Sequence, residues 1–482
     1  VEAIRFTNPD RAATEIPIKM LAKVRNLLFR DSHLNWSLAD QAVVSGVNFL
    51  TGLMLARFLG MAEFGRYSLA WMIVLFANSI QIALVLEPMM SIGPKQPADT
   101  QRAYYTALAV QQVALSLVMA GLIAGGVWLA GIHMPGWRTD GLALPLACVV
   151  VTFQLQEFLR RYFFCIGRPR LAMMSDTLRY FGQIALLVSL VVVVMAAGDP
   201  AFRVTSITAL WAIAAAGAGA TVISAFFFVR PRFEWDILCS SMGRHWQSSK
   251  WLLPSNIIYW FSGHFFIIAA GFFLGAAAVG ALRAAHNLIA ITHILFQAWE
   301  NIVPARAARL YHSQGAHALS EFLKRVALNG GLVTAAIIVA VNVRPGALLG
   351  MVFGQEYAEY GHLLLYYGVS YMFLFFSLPL KAGLRAVENT KLIFMAHLAV
   401  TVFTLATFHP LVTTFGLEGA ITGILGTMVI LVTVLYVGLR RILGRMEARE
   451  STAAEEDAQE EQQAGPAAAA AGGHRFIERS GS

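Results

Sequence analysis

The chain has 482 residues, of which 57% are hydrophobic and only 13% charged, with a mean hydropathy of +0.62. Soluble chains carry about 25% charged residues, so this composition cannot cover a water-soluble fold of such length. A net charge of +8 would suit nucleic acid, but the basic residues fall between hydrophobic runs, where orientation in a membrane explains them without a nucleic-acid partner.

In chain order, residues 1–36 form a polar N-terminal segment. Within it, residues 16–36 place Ile18, Leu21, Val24, Leu27 and Leu28 on one helical face, with Lys19, Lys23, Arg25 and Arg30 around it. The pattern predicts an amphipathic helix on an anionic leaflet, or equally a helical cap over a bundle. Crossing hydrocarbon takes about 20 residues of helix, and that ruler gives about twelve runs in an all-α integral membrane protein. The first set is 38–58, 67–91, 103–130, 140–160, 176–197 and 204–228, within a bundle spanning 37–230. A basic cytoplasmic linker at 231–250 follows. The second set is 251–274, 278–303, 326–349, 361–384, 393–412 and 416–439, within a bundle spanning 251–445. Residues 446–482 are acidic and alanine-rich, with Glu455, Glu456, Asp457, Glu460 and Glu461 before Ala467, and are expected to be disordered.

Loops after the even-numbered runs hold most of the Lys and Arg, among them Lys95, Arg160, Arg170, Arg232, Arg306, Lys324 and Lys391. Loops after the odd-numbered runs hold few, such as Arg66, Arg138, Arg203 and Arg344. That bias predicts both termini on the cytoplasmic side. The cysteines, Cys148, Cys165 and Cys239, form no CxxC and no disulfide framework.

An internal repeat is visible. Arg57-Phe58-Leu59-Gly60 followed by Gly65 is echoed by Phe272-Phe273-Leu274-Gly275 followed by Gly280, both glycines at an offset of 215 residues (275 less 60, 280 less 65). Arg160 and Arg170-Leu171 recur as Lys381 and Lys391-Leu392 at an offset of 221 (381 less 160). Order and spacing together predict a 6+6 duplication. Glycines beside a reversal of direction let helices approach closely, and simple turn geometry explains Gly60 and Gly275 as well.

The stretch Leu55-Ala56-Arg57-Phe58-Leu59-Gly60, continued by Glu63-Phe64-Gly65-Arg66-Tyr67, resembles the first-loop signature of the Wzx-type polysaccharide and oligosaccharidyl-lipid flippases. These belong to the multidrug/oligosaccharidyl-lipid/polysaccharide (MOP) exporter superfamily. Leu384-Arg385-Ala386 with Lys391 resembles the basic loop after the tenth helix of the same group. The resemblance implies two six-helix bundles around a central cavity, working by alternating access on a lipid-linked oligosaccharide. It also implies a bacterial cytoplasmic membrane, with membrane lipids and polysaccharide polymerase or export proteins as partners.

Charged side chains inside a bilayer are costly and usually face a cavity or a partner. The candidates are Asp40, Arg57, Glu87, Glu157, Arg179, Arg283, Glu300, Lys381 and Arg385. Most lie toward helix ends, where snorkelling to the interface explains them. Arg283 and Lys381 sit inside apolar stretches, with His264, His286 and His293 in neighbouring runs. Cations there suit a pyrophosphate or an acidic sugar. Arg283, Lys381, Arg57 and Arg385 are therefore expected to line a substrate cavity, and Glu87, Glu157 and Glu300 to act as coupling or ion-pair carboxylates. No phosphate-binding loop, GxSxG or HExxH occurs, so neither catalytic residues nor a metal or cofactor are expected. The alternatives are a multidrug/cation antiporter of the same superfamily and a non-transporting partner of a polysaccharide assembly complex.

Overall fold

A computed structural model describes residues 32–133, 139, 141–197 and 203–473. Most of the N-terminal amphipathic segment lies outside the described residues. The described chain is all-helical. The first half contains α1 (Ser32–Leu59), α2 (Met61–Gln81), α3 (Glu87–Ile92), α4 (Gln101–His133), α5 (Ala143–Cys165), α6 (Pro169–Ala197) and α7 (Ser206–Ala225). The second contains α8 (Trp235–Leu274), α9 (Ala276–Ile289), α10 (His293–Val341), α11 (Pro345–Phe353), α12 (Leu363–Ala386) and α13 (Thr390–Gly473).

Among the described residues, nine helices are long and apolar enough to cross a membrane, and 43–59 and 276–292 are shorter apolar helices. Two of the nine hold more than one predicted run. Gly315 breaks α10 and Gly416 breaks α13 with non-helical torsions, so each continuous helix bends into two segments. With 276–292 and the first segment of α10 together forming one predicted run, the count is twelve, the number in two six-helix bundles. Large apolar side chains such as Leu122, Val193 and Met195 are exposed along α4 and α6, as hydrocarbon-facing helices require. The acidic, alanine-rich stretch expected to be disordered continues α13 as helix to Gly473. Its Ala, Glu and Gln residues are strong helix formers, which suffices for helix without a core to bury.

The chain packs as two compact units. The first comprises residues up to Asn287 together with Leu349–Glu359, and the second Leu288–Leu348 with everything from Tyr360 onward. In the first, α1 packs on α6, α5 on α4 and α7, and α8 across α2. Its core near one end joins Met89, Tyr105, Phe158, Tyr162 and Phe163. In the second, α12 packs between α10 and α13, with Leu319, Leu384, Leu435 and Leu439 at the centre.

The repeat landmarks meet inside the first unit. Gly60 and Gly275 hold nearly the same left-handed torsions, φ 77° and 91°, and each opens the helix that follows. The opening turns of those two helices, α2 and α9, then pack on each other. A Cβ on Gly65 would lie 1.7 Å from the Ala276 carbonyl oxygen, and one on Gly280 would lie 2.1 Å from that of Met61. Met61 and Ala276 are themselves 215 residues apart, so the two copies of the motif touch reciprocally, as partners about a two-fold axis do.

Candidate functional site: charged groups inside the bundles

Three helices of the first unit bring charge into its interior. On α5, Glu157 accepts from Arg161 at 2.8 Å and pairs with Arg160 at 3.2 Å. Arg160 reaches across to Asp176 on α6 at 2.6 Å. Gln156 is fully buried and donates to Asp176 at 2.7 Å and to Ser175 at 3.1 Å, while Ser224 on α7 donates to Ser175. Arg179, one turn beyond Asp176, donates to the Gln156 side-chain amide oxygen at 2.8 Å. Each carboxylate thus has a cation beside it, which is what makes buried charge tolerable. Three arginines and two carboxylates interlock across α5 and α6, and Glu87 stands beside Arg161 at the edge of the cluster.

Arg179 is 2% exposed, and its guanidinium lies 4.1 Å from the centre of the Phe153 ring and 4.9 Å from that of Tyr180. Cation–π contact of this kind is worth about 0.5–2 kcal/mol when desolvated, and offsets part of the burial cost. Phe153 meets Trp71 edge-on, Trp71 stacks on Tyr67, and Tyr67 on Phe64. An aromatic row on α2 thereby runs from Phe64 through Tyr67 and Trp71 to the ring that carries Arg179.

In the second unit, Glu300 on α10 and Lys381 and Arg385 on α12 line one small pocket with Trp299, Pro304 and Pro379. Glu300 attracts the Lys381 charge and Arg385 repels it. Lys381 is half-buried, while Glu300 and Arg385 are exposed. Of the predicted cavity residues, the structure brings Lys381 and Arg385 together. Arg283 and Arg57 belong to the first unit.

Arg57 closes the α1–α2 junction. Its guanidinium donates to the carbonyls of Met351 and Val352, at 2.8 and 3.3 Å, in the last turn of α11, where carbonyls lack helical partners. Glu356 accepts from the Met61 amide at 3.0 Å, and Tyr357, fully buried, donates to the Ala56 carbonyl at 3.1 Å. Glu63 pairs with Arg66 and accepts from the amide and hydroxyl of Ser206, at the opening turn of α7. Much of the first-loop signature is therefore joinery between helices. Glu87 is exposed, beside the charge of Arg161. His264 bonds the Trp260 carbonyl and stacks on that ring, and His293 packs edge-on against Tyr371 and Phe296. Among the described residues no three His, Cys, Asp or Glu side chains gather as a metal ion would need.

Sequence reasoning missed Asp176, Gln156 and the aromatic row. Asp176 opens a predicted run and reads as interfacial, yet α6 begins at Pro169, which puts it two turns inside. A second polar cluster was also missed: Gln81 donates to Gln112 and to the Gln154 carbonyl, and Gln154 donates to the Ala77 carbonyl. Neutral side chains leave no mark on a charge map.

The long apolar helices define the class: a multi-pass membrane protein. No protein-family model matches the sequence, and no curated protein matches it. Solved structures do. The chain is similar to the lipid II flippase MurJ in an inward closed conformation, at TM-score 0.67 and 10% identity, covering 84% of this chain and 87% of that one. It is also similar to an inward-facing multidrug resistance MATE transporter of the MOP superfamily, at TM-score 0.62 and 15% identity, covering 87% and 96%. A third is a MOP superfamily transporter from Pyrococcus furiosus described as having a binding pocket of reversed polarity, at TM-score 0.55 and 12% identity, covering 85% and 94%. The structural neighbours are thus MOP superfamily transporters.

Proposed function

We propose that this protein flips a lipid-linked oligosaccharide, carried on a polyprenyl pyrophosphate, across a bacterial cytoplasmic membrane for cell-surface polysaccharide synthesis. It works by alternating access, with both termini in the cytoplasm. The observation that carries the reading is a buried arginine set against aromatic rings. Arg179 lies over the Phe153 ring at the end of the row formed by Trp71, Tyr67 and Phe64, and Glu157 and Asp176 are held by Arg160 and Arg161. A buried guanidinium beside aromatic faces suits a pyrophosphate and sugar rings. Likeness to a structure described as a lipid II flippase supports a lipid-linked cargo.

The test is flipping in proteoliposomes of a fluorescent oligosaccharide on a short polyprenyl pyrophosphate, with Arg283→Gln and Lys381→Gln beside the parent protein. Both variants are expected to reconstitute in normal amounts and to flip at least tenfold more slowly. Full activity in both would remove the two cations from the cargo path. Normal inactivity of the parent toward the glycan, together with proton- or sodium-driven export of organic cations, would favour the second reading. That reading is a multidrug antiporter, and the buried Glu157 and Asp176 are the observation in its favour.

A further inference from the structure

We propose that the second unit carries a specific site for an anionic phospholipid, between α10, α12 and α13. A groove of about 580 Å³ runs there, walled by Leu323, Phe376, Leu439 and Leu443. Its volume falls in the range of about 300–1,000 Å³ typical of small-ligand sites, and matches one lipid chain better than a long polyprenyl. Leu328, Val333 and Val429, on the membrane faces of α10 and α13, are exposed, so the groove sits among side chains that face hydrocarbon. A bilayer component enters such a groove sideways, without crossing water.

One end of the groove is charged. Lys324, Arg440 and Glu447 line it there, and Arg441 and Arg445 follow Arg440 along the same helix. Lys324 is already paired with Glu321 at 2.9 Å. Arg440 is exposed and has neither a hydrogen bond nor an ion pair among the described residues. Arg441 and Arg445 lie outside the groove wall, and with Lys324 held by Glu321 it is Arg440 that stands, unpaired among the described residues, beside the apolar slot. A phosphodiester on Arg440 with an acyl chain on Leu439 and Leu443 satisfies both halves, because guanidinium forms two parallel bonds to phosphate. Basic pockets between membrane helices recognise anionic head groups for this reason. The inference does not depend on what the protein transports.

The experiment titrates the full chain in detergent with dioleoyl phosphatidylglycerol or dioleoyl phosphatidylcholine and reads the lipid-bound fraction by native mass spectrometry. The parent is expected to retain the anionic lipid at least fivefold more than the zwitterionic one. Lys324→Gln with Arg440→Gln should abolish that preference while the protein stays monodisperse, since both side chains are at the surface. Ala327→Phe, which fills the groove, should lower retention of both lipids, and Arg344→Gln should change neither. Equal retention of the two lipids by the parent would overturn the proposal, as would a preference that survives the double substitution. Displacement of phosphatidylglycerol by a tenfold lower concentration of polyprenyl phosphate would also overturn it, by making the cargo lipid the occupant.

Discussion

Gly65 and Gly280 have no room for even a methyl group, because what stands in the way on each side is main-chain carbonyl. Overpacking usually costs about 1–3 kcal/mol, and more when the obstacle is rigid backbone. Gly65→Ala and Gly280→Ala are each expected to lower the melting temperature in detergent sharply, whereas Gly263→Ala, with open space around it, should not. At Asp176 the cost is electrostatic. Asp176→Asn leaves Arg160, Arg161 and Arg179 facing Glu157 alone, and breaking a buried pair costs about 3–5 kcal/mol. Glu300→Gln, at an exposed carboxylate, should change stability far less; thermal melts of the two variants provide the comparison. These cases show what was legible of the site. Charge in an apolar run pointed to Arg283 and Lys381, while Arg179 and Glu157 read as helix-end residues that snorkelling would explain. It could not show that Arg57 caps α11 or that Glu356 caps α2, since those partners are nearly 300 residues away in sequence.

The elements were easier to read than their joints. Hydrophobic length located the helices, and each predicted run overlaps a described helix, although 326–349 crosses the break between α10 and α11 and 204–228 overruns α7. It did not show that α8 begins at Trp235, because its first four turns are amphipathic and resemble a basic linker. Those turns dock on the first bundle. Ser249 donates to the Ala83 carbonyl at 2.8 Å within the π-helical turn Ile82–Leu86, where the helical ladder is disturbed, and His245 shares a 2.8 Å hydrogen bond with Tyr104. Burial pushes the His245 pKa from 6.5 down to about 4, with Arg244 adding to the effect and the Leu84 backbone opposing it. The unfolded chain therefore binds a proton that the folded chain refuses between those two values. Stability is full above pH 6.5 and falls as pH drops toward 4, by about 3 kcal/mol at most. His245→Gln should flatten this part of the stability–pH curve, as followed by melting temperature between pH 7.5 and 4.5. Cys239, exposed on the same turns, reports sidedness. With Cys148 and Cys165 replaced by Ser, an impermeant maleimide should label Cys239 in inverted vesicles and not in intact cells.

At the scale of the whole molecule, the two units are not two halves of the sequence. Leu349–Glu359 leaves the second half of the chain and completes the first unit, through Arg57, Met61 and the buried Tyr357. This has a consequence in time. A ribosome adds about 5–20 residues per second, so Gly280 follows Gly65 by about 10–40 s, and Tyr357 follows Ala56 by about 15–60 s. Throughout that interval α1 and α2 stand in the membrane with their junction unfinished, the first amide of α2 and the Ala56 carbonyl still waiting for partners. The first unit is thus begun first but is sealed only once residues 349–359 have emerged, after part of the second unit has been made. A chain stopped at residue 348 is expected to leave its first bundle open to limited proteolysis, and supplying residues 349–482 as a second polypeptide should restore protection. A chain stopped at Arg449 should be as resistant as the full-length protein, because by then the latch has already closed.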